Sequence, residues 1–172
     1  WYPGAGLYRK VSVIIKNNES IDQWGQFITT PFISDAVAKV NIKTKASGEN
    51  TRLVTTIFDA EGHKVSAEES SLRFGKEFDQ NLKGENPKLL SPETPYLYKA
   101  VAQLYVGNEL KDEVATRFGI REIKYEANKG FSLNGKVTKF KGVCLHHDLG
   151  PLGAAVNKAA LRRQLTILKD MG

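Results

Sequence analysis

The sequence predicts a mainly β protein, an antiparallel β-sandwich followed by a short C-terminal strand and helix. Three observations carry that prediction. Ala38, Val40, Ile42 and Ala46 alternate with Lys39, Asn41, Lys43 and Lys45, the period-two pattern of a strand with one wet face. Short runs of this kind recur from Trp24 to about Tyr125, separated by turn signals and with little helical period. Helical spacing enters only at the end, where Leu161, Leu165, Leu168 and Met171 share one face.

Taken in order, Leu53 to Phe58, the turn Asp59-Ala60-Glu61-Gly62-His63, and Lys64 to Ala67 read as a β-hairpin joined at Gly62. Phe78, Asn81 and Leu82 lie on a further strand, which Lys83-Gly84-Glu85-Asn86-Pro87 breaks. Ser91-Pro92-Glu93-Thr94-Pro95 forces an extended, turn-rich link, because a residue before proline is driven out of the helical region. Strands resume at Tyr96 to Val106 and at Glu113 to Arg117, giving about seven in all. The Cys-Trp-Cys spacing of antibody domains is missing, so the immunoglobulin-like character is one of architecture. Asn134-Gly135 between apolar positions predicts a type I′ hairpin. Phe140 to Leu145 predicts a short buried strand, and Asn157 predicts an N-cap for a helix through Met171. Strand, loop and amphipathic helix together form the opening unit of a β/α repeat.

Composition narrows the function classes. The 172 residues are 41% hydrophobic and 26% charged, ordinary values for a globular protein. The net charge of +6 is spread over Lys39, Lys43, Arg52, Lys64, Arg73, Lys88, Arg121 and Lys136, interleaved with acids. Nucleic-acid binding needs basic groups gathered on one surface, so no such partner is expected. No run approaches the roughly 20 apolar residues that cross a bilayer, so no membrane partner is expected either. The opening Trp1-Tyr2-Pro3-Gly4 has neither an initiator Met nor the features of a signal peptide, which suggests a fragment of a longer chain. The single cysteine, Cys144, excludes an internal disulfide and a Cys-based zinc cluster, and speaks for neither periplasm nor cytoplasm. Its apolar neighbours Val143 and Leu145 predict a buried structural thiol.

Several motifs stand in a fixed order along the chain: Pro92 to Tyr98, Phe118-Gly119-Ile120-Arg121, Gly130 to Lys136 and Lys141 to Asp148. In that order they resemble the glycoside hydrolases of family 2, the β-galactosidases above all. Phe118-Gly119-Ile120-Arg121 resembles the strand that closes that family's sandwich, and Gly130-Phe131-Ser132-Leu133-Asn134-Gly135-Lys136 its hairpin. Lys141 to Asp148 is similar to the first strand of its catalytic barrel, and Gly150 to Ala155 and Leu165 to Gly172 continue the pattern. Upstream, Pro3 to Arg9 resembles the last strand of its sugar-binding jelly-roll domain. Trp24-Gly25 and Pro92 to Tyr98 also fit, whereas Leu90 stands where the pattern has a tryptophan. The resemblance implies three parts: 1–22 from the jelly roll, 23–125 as the immunoglobulin-like sandwich, and 126–172 as the hairpin, strand and helix that open an incomplete (β/α)8 TIM barrel.

It further implies a parent enzyme that hydrolyses terminal β-galactosides with retention. That chemistry uses two carboxyl groups about 5–5.5 Å apart. In the family both are glutamates on later barrel strands, so no catalytic residue is expected here. The adjacent acids Glu68-Glu69 and Asp112-Glu113 read as solvent-facing. His146 matches a histidine that lines the family's terminal-sugar subsite, with His147 and Asp148 orienting it or touching sugar; the bland alternative for all three is a structural, loop-fixing role. Adjacent residues of a strand point to opposite faces, so these three do not share a metal ion. No cofactor is expected in this stretch, and any divalent cation is left to the parent. The implied partners are the parent's other domains, its β-galactoside substrate, and a second copy through exposed interface surface. Arg117 and Arg121 read equally as an interdomain salt bridge or as surface charge. Trp24 and Phe27 read as core or domain-contact groups, and His63 as an exposed turn residue. The other reading of the whole chain is a carbohydrate-binding or interaction sandwich, which needs exposed aromatics on one sheet face.

Overall fold

A computed structural model describes residues 7, 10–146, 149–155 and 157–172. They form two compact units, Lys16–Thr138 and the remainder at the two ends of the chain.

In the larger unit, β1 (Ile21–Ile33), β2 (Val37–Ala46) and β5 (Glu77–Glu85) form a three-stranded sheet in the order β1-β2-β5. A second sheet has four strands: β3 (Thr51–Phe58), β4 (Lys64–Leu72), β6 (Tyr98–Val106) and β7 (Glu109–Phe118), ordered β4-β3-β6-β7. All pairings are antiparallel. The seven strands are the sandwich that the spacing of turn signals predicts, with β5 crossing back to pair with β2.

The alternation read from β2 is real: Ala38, Val40, Ile42, Thr44 and Ala46 are buried while Lys39 and Lys45 are exposed. On β3, Thr51, Leu53, Thr55 and Ile57 point inward, and on β5 Phe78, Gln80 and Leu82 do so. Two apolar clusters result, one around Val40, Ile57, Leu82, Tyr98 and Ile120, the other around Ile21, Leu53, Phe78 and Leu104. Thr44, Thr55 and Gln80, all fully buried, form a polar belt between them. The Gln80 side-chain amide donates to the Leu53 carbonyl at 3.2 Å, the Glu68 carbonyl at 3.1 Å and the Ser70 hydroxyl at 3.1 Å. Its carbonyl accepts from the Thr55 hydroxyl. One side chain of β5 thus fastens its sheet to two strands of the other, and buried amide groups must be satisfied in this way to be tolerated. Glu68 adds a carboxylate that accepts from the Asn81 backbone N–H at 2.7 Å, which covers part of the β5 edge.

Beyond β7 the chain makes a small third sheet, β8 (Ile123–Glu126), β9 (Gly130–Leu133) and β10 (Lys136–Val137), in the order β10-β9-β8. Asn134 and Gly135 join β9 to β10 with φ of 50° and 76°, the two left-handed residues of the expected type I′ turn. A second tight hairpin, Val106-Gly107-Asn108-Glu109 between β6 and β7, has φ of 58° at Gly107 and starts β7 earlier than the sequence pattern suggests.

In the smaller unit, α1 (Lys158–Asp170) starts at Asn157, whose side chain accepts from the backbone N–H groups of Ala159 and Ala160 as predicted. None of its residues is buried, and Leu165 and Met171 are exposed. The run Phe140 to Leu145 differs from expectation: it joins no ladder among the described residues, and each of its side chains is exposed. A parallel barrel strand is held by hydrogen bonds to neighbours on both sides, and no such neighbour occurs among the described residues. Cys144 is accordingly exposed rather than buried. Val11, Val13, Ile14 and Ile15 are exposed in the same way and outside any ladder.

Candidate functional site

At the end of the larger unit where β7 finishes, the link before β6 and the β9–β10 hairpin converge. Phe118 is the last residue of β7, Gly119 follows, and Ile120 turns back into the core at 1% exposure. The Leu90 backbone N–H donates to the Ile120 carbonyl at 2.8 Å. A Cβ on Gly119 would lie 2.7 Å from Leu90 Cβ, so the glycine is what admits Leu90. Asn134 then ties the hairpin back to this point: its side-chain amide donates to the Leu90 carbonyl at 3.0 Å, and its side-chain carbonyl accepts from the Glu122 N–H at 2.9 Å.

Beside it, the β3–β4 turn is closed by Asp59, which accepts from the His63 backbone N–H at 2.7 Å and pairs with the His63 ring at 3.1 Å. Desolvation would raise the Asp59 pKa, but the hydrogen bonds from His63 outweigh it and hold the carboxyl below its ordinary value. His63 itself is 80% exposed, as its place in a turn predicts. The Tyr96 hydroxyl donates to Glu61 at 2.7 Å and accepts from the Ala60 N–H at 3.1 Å. The Lys88 ammonium lies 3.6 Å from the Glu61 carboxylate and 4.7 Å from the centre of the Tyr96 ring. The Tyr96 hydrogen bond, chiefly, holds Glu61 ionised below its usual range, and the Glu61 charge, chiefly, raises Lys88. Tyr96 meets Tyr98 edge-on, with ring centres 5.1 Å apart, and Tyr98 meets Phe118 at a tilt, 5.9 Å apart.

A shallow cleft of about 460 Å³ runs between this turn and the Pro95–Lys99 stretch, with Arg117 on its wall. Arg117 and Arg121 are exposed, and neither has an ion-pair partner among the described residues. The cleft contains two carboxylates held ionised and no paired nucleophile and base. What it presents is fixed charge beside an aromatic wall.

His146 is exposed and lies on the irregular segment before a single 3-10 turn at Gly150–Leu152. His147 and Asp148 lie outside the described residues. No group of His, Cys, Asp and Glu with metal-holding geometry occurs among the described residues. The two acidic pairs are engaged structurally. Glu68 caps Asn81, Glu69 meets Arg52 at 3.1 Å, Asp112 accepts from the Ile21 N–H at 2.9 Å and pairs with Lys16, and Glu113 accepts from Gln103. Trp24 and Phe27, read as core or contact groups, are not core: they are 92% and 65% exposed.

Sequence reasoning did not single out Gln80 or the side chain of Asn134. Gln80 falls on an inward position of an alternating strand, between Phe78 and Leu82, where a polar residue is itself a signal. Asn134 carries a turn preference that masks its second role as a clamp.

Comparison with known proteins places these features in a family. The sequence profile of the glycosyl hydrolases family 2 matches residues 20–121, more than half of the chain. The chain is 41% identical to beta-galactosidase BoGH2A of Bacteroides ovatus over all of its own length and 21% of that protein. It is 36% identical to a putative beta-glucuronidase of Formosa agariphila, again over its whole length and 17% of that protein. Among solved structures, a beta-glycosidase from Bacteroides vulgatus superposes on 99% of this chain with a TM-score of 0.90 at 29% identity, using 22% of its own length. A glycosyl hydrolase family 2 member from Bacteroides cellulosilyticus covers 91% of this chain and 21% of its own, with a TM-score of 0.85 at 34% identity. The chain thus spans about a fifth of the relatives it matches, and it belongs to glycosyl hydrolases family 2.

Proposed function

We propose that this chain is a non-catalytic structural part of a longer retaining β-glycosidase acting on terminal β-galactosides. The observation that carries the proposal is the 41% identity, along the whole chain, to a protein described as a beta-galactosidase. The interior agrees with a structural role. It is filled by two apolar clusters and a satisfied glutamine, and the paired acids are occupied in holding edges and strand starts. In this reading residues 1–22 end a jelly-roll domain, 23–125 form the spacer, and 126–172 begin a TIM barrel. Val11, Val13, Ile14 and Ile15, and Val143 and Leu145, lie outside any ladder among the described residues and expose apolar surface of the kind that marks an interaction site.

His146, with His147 and Asp148, contacts the terminal sugar in the complete enzyme, and the hydrolytic carboxylates come from elsewhere in the polypeptide. Arg117 and Arg121 form ion pairs with the barrel. No cofactor belongs to this stretch; a divalent cation, if the enzyme uses one, is held by other residues. The test is the rate of the complete polypeptide on chromogenic β-galactoside, β-glucuronide and β-mannoside. The galactoside should be preferred; preference for the glucuronide would move the assignment towards the relatives described as beta-glucuronidases.

One observation favours a second reading, a carbohydrate-binding or interaction sandwich. Phe27 and Phe32 stand opposite Lys43 and Lys39 on the outer face of the three-stranded sheet, 65% and 48% exposed. Titration of the chain with galactosides separates the two, since a spacer binds none of them appreciably.

A further inference from the structure

Trp24 combines two unfavourable features: it is 92% exposed, and its φ of +53° lies in the left-handed region that a bulky side chain rarely adopts. The cause is a bulge. Between the pairs Ile21–Ala46 and Gln26–Thr44, β1 advances five residues while β2 advances two. Gly25 closes the bulge, because a Cβ there would stand 2.8 Å from both the Asp22 and Lys45 carbonyl oxygens. Both flanks are pinned to β7: the Ile21 N–H donates to Asp112 at 2.9 Å, and Gln26 accepts from the Thr116 hydroxyl. The indole is therefore held outward on a rigid stem, with Phe27 exposed three residues further on. Strain of this kind persists where a function retains it. An exposed tryptophan on a fixed backbone has the character of a binding anchor, since such residues dominate an interface once seated in a pocket.

The geometry points to Trp24 as a docking knob that inserts into an apolar socket on another domain of the same, longer polypeptide, with Phe27 and Lys43 at the rim. The occupant follows from length and charge. The chain matches only 21% of the beta-galactosidase and 22% of the beta-glycosidase structure it resembles, so most of such a polypeptide lies outside it and available to contact it. Residues of both signs, Asp22 on the bulge and Lys43 and Lys45 on the strand paired with it, flank this part of β1, which suits no partner of a single charge. This inference rests on the reading of the chain as part of a longer enzyme.

Oxidative footprinting with mass spectrometry tests it, applied to the 172-residue chain and to the complete polypeptide. Trp24 should oxidise at least tenfold more slowly in the complete polypeptide, and its rate in the chain should depend neither on chain concentration nor on added galactoside. Trp24→Gly suits the positive φ, so it should leave the chain's far-ultraviolet circular dichroism unchanged while lowering the unfolding temperature of the complete polypeptide. Equal oxidation in the two proteins overturns the inference. Protection that grows with chain concentration replaces the socket with a second copy, and protection that needs galactoside replaces it with a sugar; either overturns it too. Hydrolysis of a chromogenic β-galactoside by the same complete preparation reports separately on the enzyme reading. An inactive polypeptide with a protected Trp24 defeats that reading alone, and an active one with an exposed Trp24 defeats the docking alone.

Discussion

Leu90 and Gly119 touch so closely that the glycine's missing side chain is the space Leu90 Cβ occupies, 2.7 Å from where a Cβ would stand. The contact fixes the link before β6 against the end of β7, at the place where the hairpin leaves the sandwich. Gly119→Ala should therefore destabilise the chain by about 1–3 kcal/mol, the usual cost of overpacking. Because the clash reaches Leu90 Cβ, rotation of the leucine alone does not relieve it. Leu90→Ala should recover less than half of the loss in the double variant, as read by urea denaturation.

Gln80 meets four polar partners in the core with one side chain, its two amide N–H groups shared among three acceptors. Gln80→Met keeps the volume but leaves the Thr55 hydroxyl without its acceptor and two carbonyls short of a donor. A loss of roughly 2–3 kcal/mol is expected from unsatisfied buried groups. Gln80→Met combined with Thr55→Val should be less destabilised than the single variants predict if their losses are added, because both partners are then apolar.

Asn134 separates conformational preference from hydrogen bonding. Asn134→Gly keeps the left-handed turn and loses only the bonds to Leu90 and Glu122, about 1–2 kcal/mol. Asn134→Ala loses both and should be the less stable of the two by about 1 kcal/mol. Thermal denaturation of the pair provides the comparison, and equal stabilities would contradict it.

Acid should weaken the Tyr96–Glu61–Lys88 group. Glu61 has its pKa lowered from 4.5 in the folded chain, so its contribution is present above that value and fades as pH falls through the lower folded pKa. Lys88 is raised from 10.5, so its share is present below that value and fades as pH rises beyond it. Glu61→Gln should be slightly less stable than the parent chain near neutrality, with the two converging well below pH 4.5. The effect is small because solvent screens these exposed groups. Denaturation midpoints measured across pH give the curve.

In the complete polypeptide, His146→Ala should lower kcat/KM on a β-galactoside about 10- to 100-fold, the loss of one or two sugar hydrogen bonds in the transition state. Unchanged kinetics would return His146 to a structural role.

Much of this fold was legible because a sheet with one wet face imposes a period of two, and β2, β3 and β5 keep it with few lapses. The Asn134-Gly135 turn and the Asn157 cap were legible for a local reason, since each is set by one or two residues. Phe140 to Leu145 read as a strand because the run is apolar, but apolarity supplies only a face; the ladder must come from other strands. Cys144 was misplaced by the same step. Trp24 was read as a core or domain-contact group, and the bulge that keeps it out of the core depends on register against β2. Gln80 and Leu90 act through partners more than ten residues away, which no local pattern records. For the sugar subsite, only His146 of the three proposed residues is among those described.

We propose that this chain positions a catalytic centre whose carboxylates it does not contain. The decisive assay compares the purified 172-residue chain with the complete polypeptide, side by side, on a chromogenic β-galactoside. The complete polypeptide should hydrolyse the substrate and the chain should show no rate above buffer; turnover by the chain alone would contradict the account.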